Sequence, residues 1–184
     1  MKILDCFSGY GGFTLAGDKL GIETIGFMEV DKYANSVLAF RYPEVKNYGD
    51  IDSCSIEELP DFDILTGGFP CQDLSIAGGR KGLSGGRSGL FYRWLELLEG
   101  KAPSYFILEN VRGLFSSQKG WDFADLLNEV ASTGYDVQWG LSTANGLPLK
   151  TVSESLLLDI LEESPDEKYF LSKEMSEKYA KLVK

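Results

Sequence analysis

Lys2-Ile3-Leu4-Asp5-Cys6-Phe7-Ser8-Gly9-Tyr10-Gly11-Gly12-Phe13-Thr14 is a short β-rich run that breaks into closely set glycines just before a helical pattern begins. Glycines let the backbone turn sharply and approach a ligand, and the helix that follows offers its amino end. A nucleotide-like cofactor is the natural occupant of such a turn. The spacing is not the dinucleotide pattern, because Thr14 stands where the third glycine would be expected. Taken alone, a structural turn explains the segment equally well.

Outward from this unit, β-rich runs alternate with helical patterns, the signature of a parallel sheet with crossover helices. Strands are expected near residues 2–7, 24–29, 46–48, 63–66, 105–108 and 137–141, and helices near 12–20, 32–41, 90–99 and 121–133. In the last helix Phe123, Leu126, Leu127 and Val130 share one face. After Pro148 the character changes. Thr151 and Glu154 have capping-box spacing ahead of Leu156, Leu157, Leu158, Ile160 and Leu161, and a second helix is expected after Ser172. The predicted fold is α/β, a doubly wound and mostly parallel sheet over residues 1–148, with a helical tail over 149–184.

The 184 residues suit one ordinary domain, and 43% hydrophobic with 12% aromatic residues is the composition of a chain that buries a core. No apolar run approaches the roughly 20 residues that span a bilayer, and the start becomes polar too soon for a secretory signal, so a cytoplasmic protein without a membrane partner is expected. The absence of histidine and the spacing of Cys6, Cys54 and Cys71 argue against a metal site. Any chemistry must use Cys, Asp, Glu, Lys or Tyr. A formal charge of −10 argues against nonspecific coating of nucleic acid. One stretch is locally basic: Ile76 to Leu95 carries Arg80, Lys81, Arg87 and Arg93 with no acidic residue, and its glycines read as a loop.

Further acidic and thiol groups fall at successive strand ends. Glu29 ends the second strand, where it could accept from two ribose hydroxyls, and Asp50 follows the third. Either residue alone is also readable as a helix cap. Cys71, in Gly67-Gly68-Phe69-Pro70-Cys71-Gln72, follows the fourth strand and leads straight into the basic loop. A free thiol with pKa near 8.5 is only about 3% thiolate at pH 7, so a nucleophilic role needs a helix amino end or nearby positive charge. Glu109, in Leu108-Glu109-Asn110-Val111, ends the fifth strand beside it, either as a proton donor or as a satisfied structural carboxylate.

In this order, the Phe7–Gly12 loop, Glu29, Asp50, Pro70-Cys71-Gln72 and Glu109-Asn110-Val111 resemble the cytosine-C5 DNA methyltransferase family over roughly residues 1–141. The pairing of Pro-Cys-Gln with Glu-Asn-Val is the most specific part. The resemblance implies S-adenosyl-L-methionine as cofactor, duplex DNA as partner, Cys71 and Glu109 as catalytic residues, and a flipped cytosine as substrate. It also implies a cofactor pocket of Phe7, Gly9, Tyr10, Gly11, Gly12, Glu29, Val30, Asp50, Ile51, Pro70 and Leu90, with Tyr10, Gly11 and Gly12 shaping the loop. Gln72, Ser75, Arg80, Lys81 and Arg87 would face DNA from a loop that Arg87-Ser88-Gly89-Leu90-Phe91 closes.

The chain departs from the family after residue 141. The Gln-x-Arg-x-Arg motif is missing, Asn145–Lys150 standing in its place, and no arginine follows Arg112. A target recognition domain and the late Asn-containing motif are also missing. The expectation is therefore a shortened methyltransferase that is weakly active, inactive, or completed by a second polypeptide. Two other readings are a noncatalytic relic or regulatory subunit that retains the fold, and an RNA cytosine methyltransferase with the same nucleophile. A redox role for Cys71 is weak, because no second cysteine is near it in sequence.

Overall fold

Leu4, Leu65 and Phe106 are fully buried and lie side by side on three neighbouring strands at the centre of the sheet. The computed structural model describes residues 1–70, 89–111, 114, 121–142 and 155–159. Its strands are β1 (Lys2–Cys6), β2 (Glu23–Met28), β3 (Ile64–Gly67), β4 (Tyr105–Val111), β5 (Gln138–Ser142) and β6 (Ser155–Asp159). The helices are α1 (Gly12–Lys19), α2 (Lys32–Arg41), α3 (Leu90–Lys101) and α4 (Trp121–Ser132).

The sheet order is β2-β1-β3-β4-β6-β5. β1 runs parallel to both β2 and β3, and β3 runs parallel to β4. Every residue of β3 is buried, as are the last four of β1, so the apolar runs cover both faces as central parallel strands must. The chain moves from β1 to β2 on one side and to β3 on the other. That reversal of order opens a crevice at the carboxyl ends of the strands, where ligands of open α/β sheets bind.

α3 supplies much of the core, with Phe91, Trp94, Leu95, Leu97 and Leu98 all buried. Trp94 meets Phe106 edge to face at 5.4 Å between ring centroids, and its indole N–H donates to the carbonyl of Thr66 at 3.3 Å. Such a ring pair contributes about 0.5–1.5 kcal/mol beyond the area it buries. In α4, Phe123, Leu126 and Val130 are buried and Leu127 packs partly buried against the same core, the face that the sequence periodicity indicates.

Two expected elements differ. Residues 46–48 form no strand: Asn47 makes a single isolated parallel bridge to Phe27, and Gly49 then turns the chain with φ +78°. The apolar run after residue 154 does not begin a helix. Residues Ser155–Asp159 are β6, antiparallel to both β4 and β5. A run of consecutive leucines satisfies a buried strand as readily as a helix, and pairing with β4 decides the matter here. The helix expected after Ser172 lies outside the described residues.

Candidate functional site

The loop leaving β1 is held by its own backbone and by one carboxylate. Phe7 takes the left-handed conformation (φ +53°) and donates its N–H to the carbonyl of Met28 at 2.8 Å. Gly9 and Gly11 follow with φ +52° and +81°. The N–H of Gly9 donates to Glu29 Oε2 at 2.7 Å, while Glu29 Oε1 accepts from the N–H groups of Val30 and Asp31 at 2.8 and 2.7 Å. Glu29 thus occupies the anion position that a phosphate would take against such a loop.

Beneath the loop Asp5 is fully buried, and its carboxylate accepts from the hydroxyls of Thr14 at 2.9 Å and Thr66 at 2.8 Å. The Ser8 hydroxyl donates to the Asp5 carbonyl at 2.5 Å. Loss of hydration pushes the Asp5 carboxyl up to about 6, against the lowering effect of its two hydroxyl donors.

A cavity of about 240 Å³ opens at the carboxyl ends of β1, β2 and β3. Phe7, Met28, Val30, Ile51, Pro70 and Leu90 form its apolar lining, and Glu29 and Asp50 its acidic lining, with Gly49 and Gly68 between. Of the residues expected to hold a cofactor, Phe7, Glu29, Val30, Asp50, Ile51, Pro70 and Leu90 come together here. Gly9, Tyr10, Gly11 and Gly12 do not line it. Tyr10 is 64% exposed, Gly11 packs on Leu38, and Gly12 is the first residue of α1. Met28, Gly49 and Gly68 were not anticipated, although each is next to or near a residue that was. Asp50 also caps the 3-10 turn Ile51–Ser53, accepting from the N–H of Asp52 at 3.0 Å. Its two readings, cap and cavity wall, therefore coexist. The α2 cap is Asp31, whose Oδ1 accepts from Tyr33 and Ala34.

β4 extends to Val111, three residues further than the sequence suggests, so Glu109 and Asn110 sit within a strand. Glu109 Oε2 lies 3.0 Å from where a Cβ on Gly68 would stand. Only the missing side chain at residue 68 lets the carboxylate approach the segment leaving β3. Asn110 is buried, donates its amide to the carbonyl of Phe69 at 3.0 Å, and accepts from the N–H of Val111 at 2.9 Å. Cys71, Gln72, Ser75, Arg80, Lys81 and Arg87 lie outside the described residues. Among the described residues no cluster of three or more potential ligands could hold a metal ion, and no helix is long and apolar enough to cross a membrane.

The cleft suits a nucleoside carrying positive charge. Apolar walls accept a planar base, two carboxylates accept hydroxyl or amino donors, and the lining residues among those described include no cation.

The model of the family described as C-5 cytosine-specific DNA methylase matches residues 1–148. The orphan methyltransferase M.SPRI of Bacillus phage SPR is 38% identical over 141 residues, covering 74% of this chain and 32% of that protein. The type II methyltransferase M.NgoBI of Neisseria gonorrhoeae is 40% identical over 151 residues, 81% of this chain and 47% of that one. The chain thus spans about a third to a half of these curated relatives. In fold it resembles the crystal structure of the S. pombe Dnmt2 methyltransferase, with TM-score 0.68 at 19% identity over 95% of this chain and 57% of that one.

Proposed function

Because the chain belongs to the C-5 cytosine-specific DNA methylase family, we propose that it carries the cofactor cleft and catalytic edge of a DNA cytosine C5-methyltransferase. The observation that carries this reading is the approach of Glu109 to Gly68, three residues before Cys71, at the edge that also bears the cleft.

Cytosine C5 is a poor nucleophile until the ring is attacked elsewhere. The Cys71 thiolate adds to C6, forming a carbon–sulfur bond, while Glu109 holds a proton at N3, and electron density moves to C5. S-adenosyl-L-methionine supplies an electrophilic methyl group when bound. Loss of the C5 proton to water and departure of the Cys71 thiolate, which breaks the carbon–sulfur bond at C6, then restore aromaticity. The base must leave the duplex to reach these groups, a displacement that costs a few kcal/mol and needs a segment to engage the strand. Gln72, Ser75, Arg80, Lys81 and Arg87 are assigned that task. In the cleft, Phe7, Ile51 and Leu90 would face the adenine, and Glu29 and Asp50 the hydroxyl and amino donors. Glu29 Oε2, with one N–H on it, keeps room for another donor. Gly9, Tyr10, Gly11 and Gly12 shape the loop. A recognition surface would come from a second polypeptide, and the reaction belongs to the cytoplasm.

The test is transfer of labelled methyl to duplex DNA and to transfer RNA, with trapping on DNA that contains 5-fluorocytosine. DNA labelling with a stable adduct, lost in Cys71→Ser and strongly slowed in Glu109→Gln, is expected. Labelling of transfer RNA alone would move the substrate to RNA. If Cys71→Ser traps as well as the parent, the assigned nucleophile is wrong.

A further inference from the structure

Arg93 belongs by sequence to the basic stretch that precedes it, yet its charge is spent inside the protein. It lies in α3, one turn after Leu90, and its side chain is 27% exposed. The guanidinium pairs with Glu96 on its own helix. The same group reaches across to the 3-10 turn after Asp50. Nη2 donates to the carbonyls of Ile51 and Cys54, both at 3.3 Å, and Nε lies 3.7 Å from Asp52 Oδ1. That Nε–H is buried without a hydrogen-bond acceptor, so Asp52 compensates it by charge alone.

The two elements that Arg93 joins are two walls of one cleft. Leu90 comes from α3, and Asp50 and Ile51 from the turn. We infer that Arg93 is a positioning residue for the cofactor, clamping the Asp50–Cys54 turn to α3 so that Asp50 and Leu90 keep the separation the cofactor needs. A planar fork can serve two carbonyls and a carboxylate at once, which a lysine ammonium at the same place cannot do in the same geometry. Ile51 packs into the core, but the hydrogen bonds within the turn are local, the Asp50 cap and backbone bonds from Ser53 to Asp50 and from Cys54 to Ile51, so Arg93 supplies the polar ties from the turn to α3.

This inference rests on the cleft being the S-adenosyl-L-methionine site, and the experiment separates the two. Titration calorimetry with S-adenosyl-L-methionine is run on the parent, Arg93→Gln, Arg93→Lys and Glu96→Gln. Arg93→Gln is expected to raise the Kd about tenfold, roughly the effect of losing 1.4 kcal/mol. Arg93→Lys should recover part of the loss, because one donor still reaches a carbonyl. Glu96→Gln removes only the pair along the helix surface and should bind like the parent. Thermal melting of the unliganded variants checks that the fold is intact, and Arg93→Lys carries the test if Arg93→Gln does not fold. If both Arg93 variants bind like the parent, or if Glu96→Gln weakens binding as much as they do, the clamp is overturned. If the parent does not bind, the assignment of the cleft fails, and the clamp with it.

Discussion

The side-chain amide of Asn110, at the end of β4, donates to the backbone carbonyl of Phe69 at 3.0 Å. One hydrogen bond thus fixes the segment leaving β3 to the strand that carries Glu109. Asn110→Ala leaves that carbonyl without its donor in a buried place, a cost of about 1–3 kcal/mol. Urea unfolding should show this loss, and adduct formation on 5-fluorocytosine DNA should fall further than stability does, because the two strand ends lose their register. Unchanged trapping in a destabilised variant would limit Asn110 to a structural part.

Gly68→Ala tests the approach of the carboxylate directly. The added methyl would stand 3.0 Å from Glu109 Oε2, the far end of a flexible side chain that can swing aside. The fold should survive, with melting within a few degrees of the parent, while methyl transfer drops by about tenfold to a hundredfold, as expected when a reacting group moves by about 1 Å. Parental activity in this variant would place the functional carboxylate elsewhere.

Glu29 and Asp31 are two residues apart and do different work. Asp31 caps α2, so Asp31→Ala should cost about 1 kcal/mol of stability and leave cofactor affinity alone. Glu29→Gln turns an amide toward backbone N–H groups that now share the carboxylate, and it loosens the Gly9 loop. Binding of S-adenosyl-L-methionine should weaken about tenfold or more. Equal affinities for the two variants in calorimetry would contradict this division.

Asp5 gives a pH dependence of defined sign. Its carboxyl is raised from 3.8 to about 6 in the folded protein. Between those values the folded state holds the proton more tightly than the unfolded chain. Stability from this group is therefore full below pH about 4, falls as pH rises towards 6 and stays lower beyond, a change of about 3 kcal/mol. Asp5→Asn removes the titration, so the stability of the variant relative to the parent should shift in its favour by about 2.4 kcal/mol from pH 4 to pH 7. Chemical unfolding at several pH values measures the difference, in which other carboxylates cancel; a constant gap would show that Asp5 is not the group.

Much of the arrangement is legible in the residues themselves. The β1 run into Gly9 and Gly11 declares its turn because only certain backbone conformations allow it, and Phe123, Leu126 and Val130 declare a helix face by spacing. Long-range pairing is what the sequence hides. Nothing local tells Leu156–Leu158 to lie beside Leu108–Asn110, and one bridge at Asn47 could not be told from a short strand. In the cleft, Phe7, Glu29 and Asp50 are found by chemistry at strand ends, whereas Gly68 matters for what it lacks, and Met28 looks like any core residue. Arg93 is misleading in sequence because its neighbours are basic, while its partners, Ile51, Asp52 and Cys54, lie some 40 residues earlier.

β6 stands between β4 and β5, and among the described residues β5 has no other neighbour in the sheet. During synthesis β5 emerges before the strand that will hold it, so the far side of the sheet cannot close until residue 159 has left the ribosome. Until then β4 presents a bare row of amides and carbonyls along Ile107–Val111, a surface that another nascent chain could occupy first. A product cut back to residue 148 would carry that hazard permanently.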